Sequence, residues 1–288
     1  MAFLRIAAEI PAPLSLSDFE PLCAISGNQF AMRQFDKAVA SDIKIAAKAC
    51  RKEIKQGLTI GYCTVPRVRA IFFDMDATVI KEESLVEVAK ACRLEQQVAE
   101  VTERAMAGEI DFQTSVEQRL KLLAGVDKEL LVRVSLDLQL QPGIQPFVAA
   151  CREMGIATFM VTGGFYTMAL HIQRIVGFDE IYANTLDFDE SAKLTGKLRG
   201  NLVDAKGKKN FVLEKCAAGG IAPSDIAVVG DGANDMEMMS IAGVAVGHQP
   251  KPILREVIHG QNMTGDHRFL GALLFGRDIS ITRSRLLY

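Results

Sequence analysis

Two short apolar runs, each closed by an acidic turn, constrain this chain more than any other feature. Ala70-Ile71-Phe72-Phe73 runs into Asp74-Met75-Asp76-Ala77-Thr78, and Ile226-Ala227-Val228-Val229 runs into Gly230-Asp231-Gly232-Ala233-Asn234-Asp235. An apolar run this short, without helical spacing, predicts a strand buried on both faces, as in a parallel sheet. In open α/β sheets ligands gather beyond the carboxyl ends of such strands. Asp74, Asp76, Asp231 and Asp235 are therefore expected at one crevice. Packed carboxylates raise each other's pKa unless a cation neutralises them, so four of them point to a hard divalent ion with oxygen ligands, and Mg²⁺ suits best.

The remaining pattern builds a sheet around these two strands. Residues 84–140 read as helical, with Leu85, Val88, Ala89 and Cys92, then Val116, Leu120 and Leu123, at three-to-four spacing. Gln141-Pro142-Gly143 breaks that block, after which 148–154 predicts a helix and 156–161 a strand ending at Thr162-Gly163-Gly164. Two or three short strands are expected within 180–202, a helix over 208–218, a helix starting near Asn234, a strand over 244–246 and a last helix over 269–276. The expected class is α/β, a doubly wound, mostly parallel Rossmann-like sheet with strands near 70, 156, 181, 226 and 244. In this reading residues 67–83 and 141–288 form the core, and 84–140 is a helical cap inserted after the first core strand, placed to act as a lid. Residues 1–66 form a small N-terminal appendage that docks, dimerises or senses a ligand. A strand at 3–7 and a helix over 42–56, stopped by Gly57, are expected there.

Composition narrows the partners. The chain has 288 residues, 49% of them hydrophobic and 24% charged, with a formal net charge of −2. That leaves no broad basic surface for nucleic acid, so a small-molecule substrate is favoured. The six cysteines include no Cys-x-x-Cys pair and read as reduced packing residues. The first residues lack the pattern of a secretory signal, which predicts a cytoplasmic protein, and no apolar run is long enough to span a membrane. His248 reads as a surface residue.

Phosphate monoesters hydrolyse unaided so slowly that enzymes accelerate them by up to about 10²¹-fold. A carboxylate nucleophile splits that step in two, a second carboxyl group two residues on can protonate the leaving oxygen, and a divalent ion neutralises the phosphoryl charge. Asp74 and Asp76 suit the first two roles. Thr162 and Gly163, at a strand end, can hold phosphate oxygens through a hydroxyl and exposed N–H groups, and a lysine at the start of the following helix can add charge. Lys208 and Lys209 compete for that place.

Taken in order, these motifs resemble the haloacid dehalogenase-like phosphohydrolases and, within them, the phosphoserine phosphatase family. The resemblance covers about residues 68–276 and rests on Phe73 through Glu83, Ala105 through Phe112, Arg119, Val161 through Phe165, Lys208 and Gly230 through Met236. It implies a nucleophilic Asp74, an acid/base Asp76, and Mg²⁺ held by Asp74, the Asp76 backbone carbonyl and Asp231. Asn234 and Asp235 would support the ion and the attacking water, and Thr162, Gly163 and Lys208 would contact phosphate. Glu83 and Arg119 fall where the family places its partners for the ammonium and carboxylate of phosphoserine, and Met106 and Phe112 resemble its apolar lid. The sequence departs from that pattern at Ala77, Thr162 and Ser84-Leu85-Val86. The same chemistry on another small phosphomonoester, and a non-catalytic regulator binding metal or phosphate, stay open as alternatives. A homodimer through residues 1–66 is a further expectation.

Overall fold

The computed structural model describes residues 2–10, 20–25, 28–38, 40–55, 59–276 and 279. Gly57 and the side chain of Met106, both named above, lie outside the described residues. The chain opens with strands β1 (Ala2–Ile10), β2 (Glu20–Ile25) and β3 (Asn28–Ala38), helix α1 (Ala40–Lys55) and strand β4 (Ile60–Cys63). The first acidic turn follows β5 (Ala70–Phe73). Four helices come next, α2 (Ser84–Ala91), α3 (Glu95–Met106), α4 (Phe112–Leu122) and α5 (Lys128–Asp137). After α6 (Ile144–Glu153) the chain alternates through β6 (Ala157–Phe165), α7 (Tyr166–Val176), β7 (Glu180–Phe188), β8 (Leu194–Arg199), α8 (Ala205–Ala218), β9 (Ile226–Gly230), β10 (Val244–His248) and β11 (Gly260–Asn262).

Among the described residues these strands form one sheet of eleven, in the order β2-β3-β1-β4-β11-β10-β9-β5-β6-β7-β8. The six strands from β11 to β7 are parallel, with β4 and β8 antiparallel at either side. Strands β5 and β9 are buried at every residue. Their side chains alternate between two cores: Ile71 and Phe73 join the cluster under α6 and α7, while Ala70, Phe72 and Val228 join the one with Phe211, Val212 and Cys216 of α8. Coverage on both faces is why these strands read as unbroken apolar runs.

Three features differ from the expectations. Strand β6 runs on through Thr162-Gly163-Gly164 to Phe165, so this turn is extended backbone at a strand end. Strand β11, only Gly260-Gln261-Asn262, went unpredicted because three polar or glycine residues carry no apolar signal. Strands β1 to β4 continue the core sheet: β4 pairs with β11 and β1 pairs with β4. Glycine makes that junction close enough, since a Cβ on Gly260 would sit 2.6 Å from Gly61 Cα. Cys63, Cys151 and Cys216 are buried, and the cysteines with described side chains form no disulfide with one another. Among the described residues no helix is long and apolar enough to cross a membrane.

Helices α2 to α5 form a cap joined to the core by two adjacent stretches of chain. Ile80 bridges Leu140, Gln141 N–H donates to Val79 O at 2.8 Å, and Lys81 N–H donates to Gln139 O at 2.9 Å. The cap also touches the β7–β8 hairpin, where Gly125 N–H donates to Leu194 O at 2.7 Å. It therefore stands over the carboxyl ends of the parallel strands.

Gly260→Val tests the glycine junction. Overpacking against the Gly61 backbone should cost about 2 kcal/mol, read as a lower urea midpoint at an unchanged denaturant slope. An unaltered midpoint would show that β4 and β11 do not approach this closely.

Candidate active site

The ends of β5, β6, β9 and β10 converge on a cavity of about 480 Å³. Asp74 leaves β5 with its backbone N–H bonded to Val229 O of β9 at 2.9 Å, which ties the two acidic turns together. After it the chain coils tightly: the N–H groups of Thr78, Val79 and Ile80 all point at Met75 O, and Ala77 takes a left-handed conformation at φ 52°. That coil turns Asp76 back toward the cavity beside Asp74.

Asp74 is buried, and one of its oxygens is fully engaged. Oδ1 accepts from Met75 N–H at 2.8 Å and from Lys208 Nζ at 2.7 Å, whereas Oδ2 receives only a long contact of 3.4 Å from Asn234 Nδ2. Lys208 arrives because Asp204 caps α8, accepting from Gly207 N–H at 2.7 Å, and so starts the helix one turn before the lysine. Lys208 is 1% exposed and also donates to Asp235 Oδ1 at 2.8 Å. Burial pulls its pKa down, but the two carboxylates outweigh this and raise it, so it stays charged. Lys209, the competing candidate, faces away and reaches Glu237 at 3.7 Å.

Asp235 is wholly buried and shapes the second acidic turn. Its Oδ2 accepts from the N–H groups of Asp231 and Gly232 at 3.1 and 3.2 Å. Burial first, then the charge of Asp74, pushes its carboxyl up to about 7. Carboxylate oxygens of Asp74, Asp231 and Asp235 all lie within 4.8 Å of one another. Three hard oxygen donors at that separation fit a divalent cation of the Mg²⁺ kind. The Asp76 carboxylate is not among them. Its oxygens accept from Ser84 N–H at 2.9 Å and Ser84 Oγ at 3.1 Å, and burial, with Glu83 and Asp74 close by, raises its pKa to about 7.

The opposite wall comes from β6. Thr162 Oγ accepts from Gly164 N–H at 2.8 Å and keeps its own proton to donate. Asn184 holds Gly163 in place, donating to its carbonyl at 2.7 Å while accepting from Val203 N–H at 2.8 Å. Overhead, Asp111 caps α4 by accepting from Thr114 N–H at 2.7 Å. From that start Phe112, Val116, Arg119 and Leu120 line the cavity at helical spacing, with Phe112 48% exposed. Arg119 Nε donates to Ser115 O at 3.2 Å, which leaves the rest of the guanidinium uncommitted to that bond. Glu83 stands at the mouth, its carboxyl raised mainly by burial.

Of the residues expected here, the structure brings together Asp74, Asp76, Glu83, Phe112, Arg119, Thr162, Gly163, Asp231 and Asn234 around the cavity, with Lys208 and Asp235 directly behind. Two residues were missed, Ser84 on Asp76 and Lys251 on Asp231. A third loop following a parallel strand, Pro250-Lys251-Pro252 after β10, was the available signal for Lys251. His248 requires a correction. It is fully buried, its ring stacked on His267 at 4.3 Å, because the segment around His267 folds back over the end of β10. Burial lowers the pKa of both rings, His267 to about 4, and His267 Nε2 donates to Thr78 O at 2.8 Å.

Comparison with known proteins bears on the family and the fold. Residues 68–243 match the haloacid dehalogenase-like hydrolase family. A phosphoserine phosphatase of Archaeoglobus fulgidus is 35% identical over 201 residues, 68% of this chain and 58% of that protein. One of Albidiferax ferrireducens is 38% identical over 195 residues, 66% of this chain and 82% of that protein. A solved phosphoserine phosphatase described as a phospho-aspartyl intermediate analogue superposes with a TM-score of 0.65 at 29% identity, covering 70% of this chain and 96% of that one. The chain thus spans under two thirds of the archaeal relative and most of the bacterial one.

The raised pKa of Asp76 carries a stability signature. The folded protein holds that proton up to about pH 7, whereas the unfolded chain releases it near 3.8. The associated stability is complete below about pH 4 and lost as pH rises through 7. Asp76→Asn, neutral throughout, escapes that loss. The melting temperature of ion-free Asp76→Asn minus that of the parent should therefore climb between pH 4 and 7; a flat difference would mean an unperturbed carboxyl.

Proposed function

We propose, on the premise that the chain belongs to the haloacid dehalogenase-like hydrolases, that it is a phosphatase hydrolysing O-phospho-L-serine to L-serine and phosphate through an aspartyl-phosphate at Asp74. The observation that carries this reading is the unequal use of the Asp74 oxygens, one pinned by Lys208 and Met75 N–H, the other lightly held beside a carboxyl raised to about 7. Mg²⁺, held by Asp74 and Asp231 with Asp235 in support, would neutralise charge on the phosphoryl oxygens.

An Asp74 carboxylate oxygen attacks phosphorus as the bond to the serine oxygen breaks, and the Asp76 proton passes to that leaving oxygen. Asp76, now a carboxylate, takes a proton from a water molecule whose oxygen attacks phosphorus, and the bond to Asp74 breaks to release phosphate. Its pKa near neutrality suits a group that must give and then take a proton. Thr162 Oγ, Gly163 N–H and the third ammonium proton of Lys208 supply donors to the phosphoryl oxygens. Arg119 from the cap matches the substrate carboxylate, and Glu83 matches its ammonium. Similarity to phosphoserine phosphatases, of which one is covered over 82% of its length, supports the choice of substrate.

Asp74→Asn should lower kcat by at least about 10³-fold with the fold intact by circular dichroism. In a panel of phosphorylated amino acids, sugars and nucleotides assayed for phosphate release with and without Mg²⁺, phosphoserine should lead by kcat/KM. Arg119→Ala should cost roughly 10²-fold in kcat/KM on phosphoserine and little on a phosphate ester without a carboxylate. An equal loss on both would remove Arg119 from carboxylate recognition.

A further inference from the structure

Lys251 stands at the cavity mouth in a place the chain has prepared for it. It lies between Pro250 and Pro252, whose rings fix φ near −65° on either side. Its backbone N–H donates to Asp231 O at 2.8 Å, and its ammonium reaches Oδ2 of the same residue at 2.8 Å. The stem runs along Gly232, where a Cβ would sit 3.7 Å from Lys251 Cδ. Glu83 Oε1 is the next carboxylate, 3.8 Å from Nζ.

Charge arithmetic explains the arrangement. Asp74 and Asp235 share the ammonium of Lys208, and Asp231 has that of Lys251. A divalent cation on Asp231 would need the carboxylate that Lys251 occupies, and it would meet a positive charge a few ångströms away. Lys251 holds Oδ2 of that carboxylate, and an ion on either oxygen would meet repulsion from the ammonium.

We propose that Lys251 is a displaceable internal cation: it neutralises Asp231 in the ion-free protein, moves onto Glu83 when a divalent cation takes that carboxylate, and so sets the affinity of the site for the ion. This inference rests on the divalent-cation reading given above. It also couples the two halves of the site. With the ion in place Lys251 covers Glu83, and the substrate ammonium must displace it from there.

Mg²⁺ titrations of the full chain by calorimetry, after chelation and without substrate, test the idea on Lys251→Met and Lys251→Arg. Lys251→Met keeps the apolar stem and should bind Mg²⁺ about tenfold more tightly than the parent. Its chelated form should melt a few degrees lower, because Asp231 has lost its counter-charge. Lys251→Arg should stay within about twofold of the parent in affinity. Equal or weaker binding by Lys251→Met overturns the proposal, as does a Lys251→Arg that behaves like Lys251→Met. Absence of any Mg²⁺ binding by the parent is a different result, and it would defeat the divalent-cation reading itself.

Discussion

The Lys208 ammonium, sealed between Asp74 and Asp235, is the interaction on which the rest of the site depends. Burying an ion pair costs several kcal/mol per charge in lost hydration, and only close hydrogen-bonded geometry recovers it. Here the contacts are 2.7 and 2.8 Å. Three carboxylates within 4.8 Å would otherwise repel one another or take up protons. The lysine therefore does two things at once. It engages Oδ1 of Asp74 while Oδ2 keeps only the long Asn234 contact, and it ties the start of α8 to the ends of β5 and β9.

Every other functional group is placed by an element ending at the same crevice. Parallel pairing of β5 with both β6 and β9 brings Asp74, Thr162 and Asp231 to one rim. The cap enters through Ser84, the first residue of α2, which holds both Asp76 oxygens. Cap and acid are thus joined by two hydrogen bonds, so the position of the first cap helix and the orientation of the carboxyl are linked. From the same cap, α4 presents Phe112 and Arg119 across the cavity from the acidic turns. In the proposed reaction, water exclusion, charge recognition and proton transfer would all depend on how this one insertion sits.

Legibility in the sequence followed burial. Strands β5 and β9 announced themselves because both of their faces are covered, which demands apolar residues throughout. The cap helices showed through their three-to-four spacing. Strand β11 did not, since a short strand paired on both sides, parallel to β10 and antiparallel to β4, can be built from Gly260-Gln261-Asn262, which no pattern separates from a loop. His248 misled for a related reason: a polar residue past an apolar run reads as exposed, and the stacking partner that buries it lies nineteen residues further on.

The residues of this chain by themselves determined that two acidic strand ends would meet, because a parallel sheet places the carboxyl ends of its strands on one side whatever the connections. Tertiary structure alone decided which oxygen of Asp74 is engaged and that Lys251 rests on Asp231. Those outcomes depend on helix phase and loop path, which vary by fractions of a turn and leave no mark on local composition. It also decided that the N-terminal strands continue the core sheet, through a contact between Gly61 and Gly260 that holds only because neither carries a side chain.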